Sequence, residues 1–247
     1  MNIALVLSGG TGTRLGADIP KQYIEVNGRM IIDYCLETFF TSEYIDAVWI
    51  VADESWQKTI ASELKKKIPG SRDSEGQKKL AGFSAPGKTR QLSILNGLED
   101  IRSKLLRKNS CSSEDGVNIL IHDAARPLLT HKLIADCFVA LTGHDGVMPV
   151  LPMKDTVYVS HDGKMVDSLL DRSTIYAGQA PELYRLEPYY DACTALLPQE
   201  ILSINGSTEP AIRAGLDVAM IPGDEGNYKI TTKNDLEKFV NKVTIHG

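Results

Sequence analysis

The chain has few cysteines, no excess of positive charge and no long apolar run, and each shortage closes off a class of protein. Its four cysteines, Cys35, Cys111, Cys137 and Cys193, are scattered over 247 residues without a CxxC pair. That spacing suits neither a zinc site nor a disulfide framework, so they read as free thiols of a cytoplasmic protein. Basic residues number 27 against 32 acidic ones, a net charge of -5. Such a balance supplies no field for nucleic acid or an anionic membrane, and any anionic ligand must be met by local cations. The apolar run at residues 3 to 7 is too short for a signal peptide, and no stretch reaches bilayer-spanning length. Nucleic-acid and membrane partners are not expected. Hydrophobic residues still make up 43% of the chain, enough for one substantial core.

What is present is an alternation. Ile3 to Leu7, Ala47 to Val51, Val117 to Ile121 and Gly146 to Val150 are short β-branched runs that read as strands. Helical spacing of apolar residues predicts helices around Ile31 to Phe40, over residues 55 to 68, over Gln91 to Ile101 and over residues 131 to 143. Strands alternating with helices, with no tight hairpin between them, indicate a single α/β domain over residues 1–247: a parallel sheet covered on both faces. Residues 67 to 90 are polar and rich in Gly, Ser and Lys, and read as a surface excursion, either a solvated loop or a ligand-facing lid. Residues 102 to 116 read as a second exposed connection. In Thr156 to Leu170, β-formers flank Asp162-Gly163, a two-residue hairpin signal. A hairpin inserted there, at about residues 153–180, is expected to project and pair with a partner subunit.

The first strand ends in a glycine-rich turn followed by two cations, "LVLSGGTGTRLGADIPKQY" at residues 5 to 23. It is not a dinucleotide fingerprint, because Leu15 stands where the third glycine belongs, and it is not a P-loop, because no Lys-Ser or Lys-Thr pair follows. What remains is a flexible turn at a strand's carboxyl end, where ligands bind in open α/β sheets. Gly9, Gly10 and Gly12 let its amides approach an anion closely. An ordinary strand-to-helix turn is the alternative, and Arg14 and the "PKQY" at Pro20 to Tyr23 tip the reading toward a phosphate chain.

The stretch "SGGTGTRLGADIPKQY" resembles the signature loop of nucleotidyltransferases, in particular the CTP-using branch that holds the methylerythritol-phosphate and ribitol-phosphate cytidylyltransferases. Similar segments run along the chain: "RQLSILNGL" at 90 to 98, "HDAARPLL" at 122 to 129, "KDTV" at 154 to 157, "DRSTIYAGQAP" at 171 to 181 and "NYKITTKNDL" at 227 to 236. The resemblance implies a Rossmann-like three-layer α/β/α fold with a projecting β-hairpin dimerisation arm. It also implies a reaction, in which a phosphate monoester attacks the α-phosphorus of CTP and expels pyrophosphate. The nucleophile is already an anion, so the need is for positioned cations and a metal rather than a Ser-His or Cys-His pair.

The same resemblance distributes roles. Arg14, Lys21 and Lys229 would grip the triphosphate as catalytic cations, beside the nucleotide-binding positions Leu7, Ser8, Gly9, Gly10 and Gly12. Gly87, Arg90 and Ser93 match the segment that recognises the cytosine ring, although Ser93 reads equally as a helix-cap or helix-face hydroxyl. Asp123 lies just past a strand and suits Mg2+, or else caps a turn. Arg126 would meet the phosphate substrate or order its loop, and His122 reads as a buried supporting group. Thr156 and Arg172 match positions that hold the polyol phosphate, with Arg172 reaching the neighbouring subunit of a homodimer. Asp224 or Glu225 is available as an acidic metal partner.

Two departures stand out. Ala180-Pro181-Glu182 replaces the usual Thr-Pro-Gln, which removes a hydroxyl on the arm, and Ser207-Thr208-Glu209-Pro210 replaces Thr-Asp-Glu-Ala. Both are expected to fall away from the triphosphate clamp. The favoured acceptor is 2-C-methyl-D-erythritol 4-phosphate, followed by ribitol 5-phosphate and then another envelope polyol phosphate. The rivals are a nucleotide-binding regulatory protein without turnover and a hexose-phosphate uridylyltransferase.

Overall fold

The computed structural model of the chain describes residues 1–10, 19–67, 79–107 and 116–245. Strand β1 (Asn2–Leu7) leads through a 3-10 turn at Lys21–Tyr23 and a small hairpin, β2 (Glu25–Val26) and β3 (Arg29–Met30), into α1 (Ile31–Thr41). Next come β4 (Ala47–Val51), α2 (Glu54–Lys67), β5 (Leu80–Ser84), α3 (Arg90–Arg107), β6 (Asn118–Asp123), α4 (His131–Ala140) and β7 (Gly146–Pro152). The second part contains β8 (Tyr158–Val159), β9 (Ser168–Leu169), β10 (Tyr176–Gly178), β11 (Glu182–Arg185), α5 (Leu186–Thr194), α6 (Glu209–Arg213), β12 (Val218–Pro222) and α7 (Lys233–Ile245).

The main sheet has eight strands, ordered β10-β7-β11-β6-β1-β4-β5 with β12 also on β7. β1 sits between β4 and β6, parallel to both. Buried on both faces, these strands carry unbroken apolar runs, and the alternation of side chains sorts each run into two cores. Ala4, Val6, Val48, Ile50 and Leu120 pack with Leu36, Phe39, Ile60 and Ile134 from α1, α2 and α4. Ile3, Leu5, Trp49, Val51, Ile119 and Ile121 face the other way, onto Ile94, Leu98, Ile101 and Tyr189 from α3 and α5. α7 closes a smaller cluster of Val26, Ile31, Ile230 and Phe239. The three-layer α/β/α architecture is as expected.

Several expectations need correcting. The sheet is mixed, because β11 runs antiparallel to both β6 and β7, and β10 antiparallel to β7. β5 lies inside the segment read as a surface excursion and pairs parallel with β4. It is a half-buried edge strand of "LAGFS", whose small residues carry little β signal. α3 continues to Arg107, so the start of the second supposed connection is helical. The tight hairpin is at Asn27-Gly28, where φ is 51° and 71°, the type I′ signature. Asp162-Gly163 instead sits in a longer loop between β8 and β9, which pair Tyr158 with Leu169 and Val159 with Ser168. There Asp162 Oδ1 accepts from the amides of Lys164 and Met165. The aspartate caps its own loop rather than making a two-residue turn.

Candidate active site

The carboxyl ends of β1 and β6 and the amino end of α3 converge on a cavity of about 510 Å³. Its wall includes Leu7, Gly9, Gly10, Lys21, Gln22, Gly87, Lys88, Arg90, Ser93, Asp123 and Lys229. Among the described residues four cations therefore face one carboxylate, in a chain whose net charge is negative. Concentrated positive charge of this kind in a low-dielectric cleft is what an anionic ligand requires.

The glycine loop follows directly from β1. The Ser8 amide donates to the Val51 carbonyl at 2.8 Å, which ties the strand's exit to β4. Gly9 has no room for a side chain: a Cβ there would stand 2.3 Å from Pro86 Cβ. Gln22 Nε2 donates to the carbonyls of Ser8 (2.7 Å) and Gly10 (2.8 Å). The Tyr23 hydroxyl donates to the Ser8 carbonyl at 2.9 Å, while its ring stacks on Trp56 with centroids 4.1 Å apart. Gln22 and Tyr23 were missed as site residues. Their signal was their place in the "PKQY" that ends the signature stretch, but nothing in the sequence says which carbonyls they reach. Gly12 and Arg14 lie outside the described residues.

On the opposite wall stands Ser93, which lines the cavity. Its Oγ donates to the Thr89 carbonyl at 2.9 Å and accepts from the Gly87 amide at 3.0 Å. Thr89 makes the cap of α3, its Oγ1 accepting from the Leu92 amide at 3.2 Å. Ser93 thus holds the turn against the helix. Gly87 is needed for close approach, because a Cβ would lie 2.7 Å from the Leu92 carbonyl carbon.

Asp123 is the hub. Arg90 Nε donates to its Oδ1 at 3.1 Å, with Nη2 also 3.1 Å from that oxygen as an ion pair, and Lys229 Nζ donates to Oδ2 at 2.9 Å. Arg126 Nε stands 3.8 Å from Oδ2. Burial alone would raise this carboxyl's pKa, but Arg90, then Lys229 and Arg126, hold it well below the usual carboxylate range. Arg126 does not line the cavity; its Nη1 donates to the Asn227 carbonyl at 2.8 Å. His122 is buried as anticipated, with Nε2 3.0 Å from the Arg126 carbonyl, and burial lowers its pKa to about 4.

Among the described residues no three His, Cys, Asp or Glu side chains come together as a metal cluster. Asp224 Oδ1 accepts from the Gly226 amide and Glu225 pairs with Lys154, and neither lines the cavity. Among the described residues a divalent cation here would have one protein carboxylate, Asp123, with phosphate and water as further ligands, a mode that suits Mg2+.

Thr156 and Arg172 are not brought to this cavity within one chain. They border a separate concavity of about 500 Å³ with Leu169, Leu170 and Asp171, and Arg172 Nη1 donates to the Lys154 carbonyl at 2.9 Å. The two departures from the family pattern also need correcting. Ala180 is buried just before β11, an interior strand of the main sheet, rather than displayed on an arm. Glu182 is buried too, and accepts from Ser207 Oγ and, at 3.4 Å, from the Tyr184 hydroxyl. Burial raises the Glu182 pKa while Arg90 pulls it down. The altered positions therefore touch each other and act electrostatically on a cavity residue.

The family described as IspD, 2-C-methyl-D-erythritol 4-phosphate cytidylyltransferase, matches residues 2–240. A 2-C-methyl-D-erythritol 4-phosphate cytidylyltransferase of Rubrobacter xylanophilus is 37% identical over 238 residues, covering 95% of this chain and 91% of the relative. A ribitol-5-phosphate cytidylyltransferase of Lacticaseibacillus paracasei is 28% identical, over 97% of this chain and 96% of the relative. The crystal structure of a 4-diphosphocytidyl-2C-methyl-D-erythritol synthase from Anaerococcus prevotii superposes with a TM-score of 0.75 at 24% identity, covering 98% of this chain and 95% of that one.

Proposed function

The chain belongs to the 2-C-methyl-D-erythritol 4-phosphate cytidylyltransferase family, and on that premise we propose that it transfers the cytidylyl group of CTP to 2-C-methyl-D-erythritol 4-phosphate. An oxygen of the acceptor's phosphate forms a bond to the α-phosphorus of CTP. The bond from that phosphorus to the bridging oxygen breaks, and pyrophosphate leaves with the electron pair. The observation that carries the reading is the cavity's charge: Lys21, Lys88, Arg90 and Lys229 against Asp123. Two anions that repel each other can meet there at little electrostatic cost.

In this reading Lys21, Lys229 and Arg14 hold the triphosphate with the backbone of residues 8 to 12. Gly87, Arg90 and Ser93 form the nucleotide's other wall. Asp123 would hold Mg2+ together with phosphate oxygens, and the ion would neutralise charge that builds on the phosphates during transfer. Before nucleotide binds, Asp123 serves as counter-ion to the surrounding cations. Thr156 and Arg172 take the acceptor's phosphate, delivered by the β8–β9 arm of a partner in a homodimer. Support for that assembly is the arm's uncovered apolar surface, with Tyr158, Met165, Val166 and Leu169 each more than half exposed. Cys35, Cys137 and Cys193 are unpaired, as suits a cytoplasmic enzyme, and no described helix is long and apolar enough to cross a membrane.

Ribitol 5-phosphate is the second reading of the acceptor. It is supported by the ribitol-5-phosphate cytidylyltransferase relative, and the departures at residues 180–182 and 207–210 leave the choice of acceptor open to it. The test is pyrophosphate release with CTP or UTP and a panel of three- to five-carbon polyol phosphates. CTP with 2-C-methyl-D-erythritol 4-phosphate should give the highest kcat/KM. Preference for UTP would overturn cytidylyl transfer, and no release with any acceptor would leave the non-catalytic rival standing.

A further inference from the structure

We infer that Gln22 is a positioning residue, which locks the carbonyls of the glycine loop away from the ligand so that loop amides and Lys21 meet the triphosphate as one rigid unit. The inference rests on the cytidylyl-transfer reading and deepens it. A glycine-rich turn is flexible in both senses, because each peptide unit can flip and present either an N–H or a C=O. An exposed carbonyl facing a triphosphate would repel it. This loop therefore needs something to fix its peptide orientation before nucleotide arrives.

Gln22 is placed for that task. It is 3% exposed, and its single amide nitrogen donates to two carbonyls of the same loop, Ser8 and Gly10. The Tyr23 hydroxyl takes a second position on the Ser8 carbonyl, which is thereby engaged twice. In a planar trans peptide the C=O and the following N–H point in opposite directions. Holding the Ser8 carbonyl toward Gln22 therefore aims the Gly9 N–H the other way. Among the described residues no acceptor takes the N–H of Gly9 or Gly10, although both residues line the cavity. Gln22 also lies in the same 3-10 turn as Lys21. Its two hydrogen bonds thus fix the distance between the amide donors and the cation.

Gln22→Met tests this, since it keeps length and bulk while losing both donors. Calorimetric titration with inorganic pyrophosphate should show at least about tenfold weaker binding, cytidine binding should be unchanged, and kcat with CTP should fall about 100-fold, the usual cost of a misplacement near 1 Å. Equal losses for pyrophosphate and cytidine, or a kcat within threefold of the parent, would overturn the inference. Should Gln22→Met fail to fold, Gln22→Glu takes its place. Its carboxyl can donate only when protonated, so its kcat relative to the parent should rise as pH falls, and a flat ratio would refute the positioning role. If the parent chain itself releases no pyrophosphate from CTP, the functional reading fails, while the pyrophosphate titration still judges Gln22.

Discussion

Asp123 and its neighbour His122 make opposite bargains with burial, and each leads to a measurement. Asp123 stays ionised because Arg90, Lys229 and Arg126 surround it. Asp123→Asn would leave those cations facing one another without a counter-ion. Removing one partner of a fully buried pair costs about 3–5 kcal/mol. Here Arg90 and Lys229 keep 32% and 35% of their side chains in solvent, so screening reduces the expected loss to about 2 kcal/mol. Calorimetry without nucleotide should show a Tm several degrees lower, partly restored by pyrophosphate, and the activity should need far more Mg2+ or vanish. A Mg2+ titration that overlays the parent's would remove Asp123 as a metal ligand. His122 is buried neutral, its pKa lowered from 6.5 to about 4. As pH falls through that interval the unfolded chain takes up a proton and the folded chain does not. Stability is therefore lost from about pH 6.5 downward, by about 3 kcal/mol at pH 4. Asp123 adds to this loss only below about pH 5, where unfolded carboxylates begin to protonate while the folded one stays ionised. His122→Gln, whose amide nitrogen stands where Nε2 does and so keeps a donor for the Arg126 carbonyl, should flatten the slope between pH 6.5 and 4 in denaturant titrations. An unchanged slope would show that His122 protonates freely in the folded protein.

The amino end of α3 shows how an element sets the cavity's shape. Thr89 caps it, Ser93 ties its turn back, and Gly87 admits the backbone of Leu92 closely. Gly87→Ala must push that turn outward, because the obstacle is backbone rather than a flexible side chain. The strain is expected to cost about 1–3 kcal/mol and to carry Arg90 away from Asp123. KM for CTP should rise about tenfold, with KM for the acceptor unchanged; equal rises in both would point to general loosening instead. The sequence signalled α3 and its neighbours through apolar spacing, and it signalled β1, β4, β6 and β7 through β-branched runs. It missed β5, whose Ala and Gly carry little propensity, and the antiparallel direction of β11, which no local pattern encodes. It also placed the tight hairpin at Asp162-Gly163 rather than at Asn27-Gly28. A turn dipeptide marks where the chain can reverse, while strand register decides how tightly it does so.

For the whole molecule, the proposed dimer makes a prediction that a monomer cannot. Arg172 lies on the arm beside its own concavity, whereas Lys21 lines the main cavity. If the arm serves the partner's site, Lys21→Ala and Arg172→Ala homodimers are each inactive. A mixed dimer then regains one intact site, beside one that carries both defects. An equal statistical mixture should recover roughly a quarter of normal activity, since about half the dimers are mixed. Co-refolding, dimer exchange verified by mass and a CDP-polyol assay decide it. No recovery from verified mixed dimers would place the arm on its own subunit. The sequence by itself determined the layered α/β architecture, the glycine loop at the end of β1 and the supply of cations. These follow from periodicity and side-chain chemistry within short windows. Only the tertiary structure decided which charges meet. Lys229 reaches Asp123 across 106 residues and Arg90 across 33, while Glu182 answers to Ser207 25 residues away. Such contacts depend on which strand ends the sheet order brings side by side, and that order is a property of the packed whole rather than of any segment.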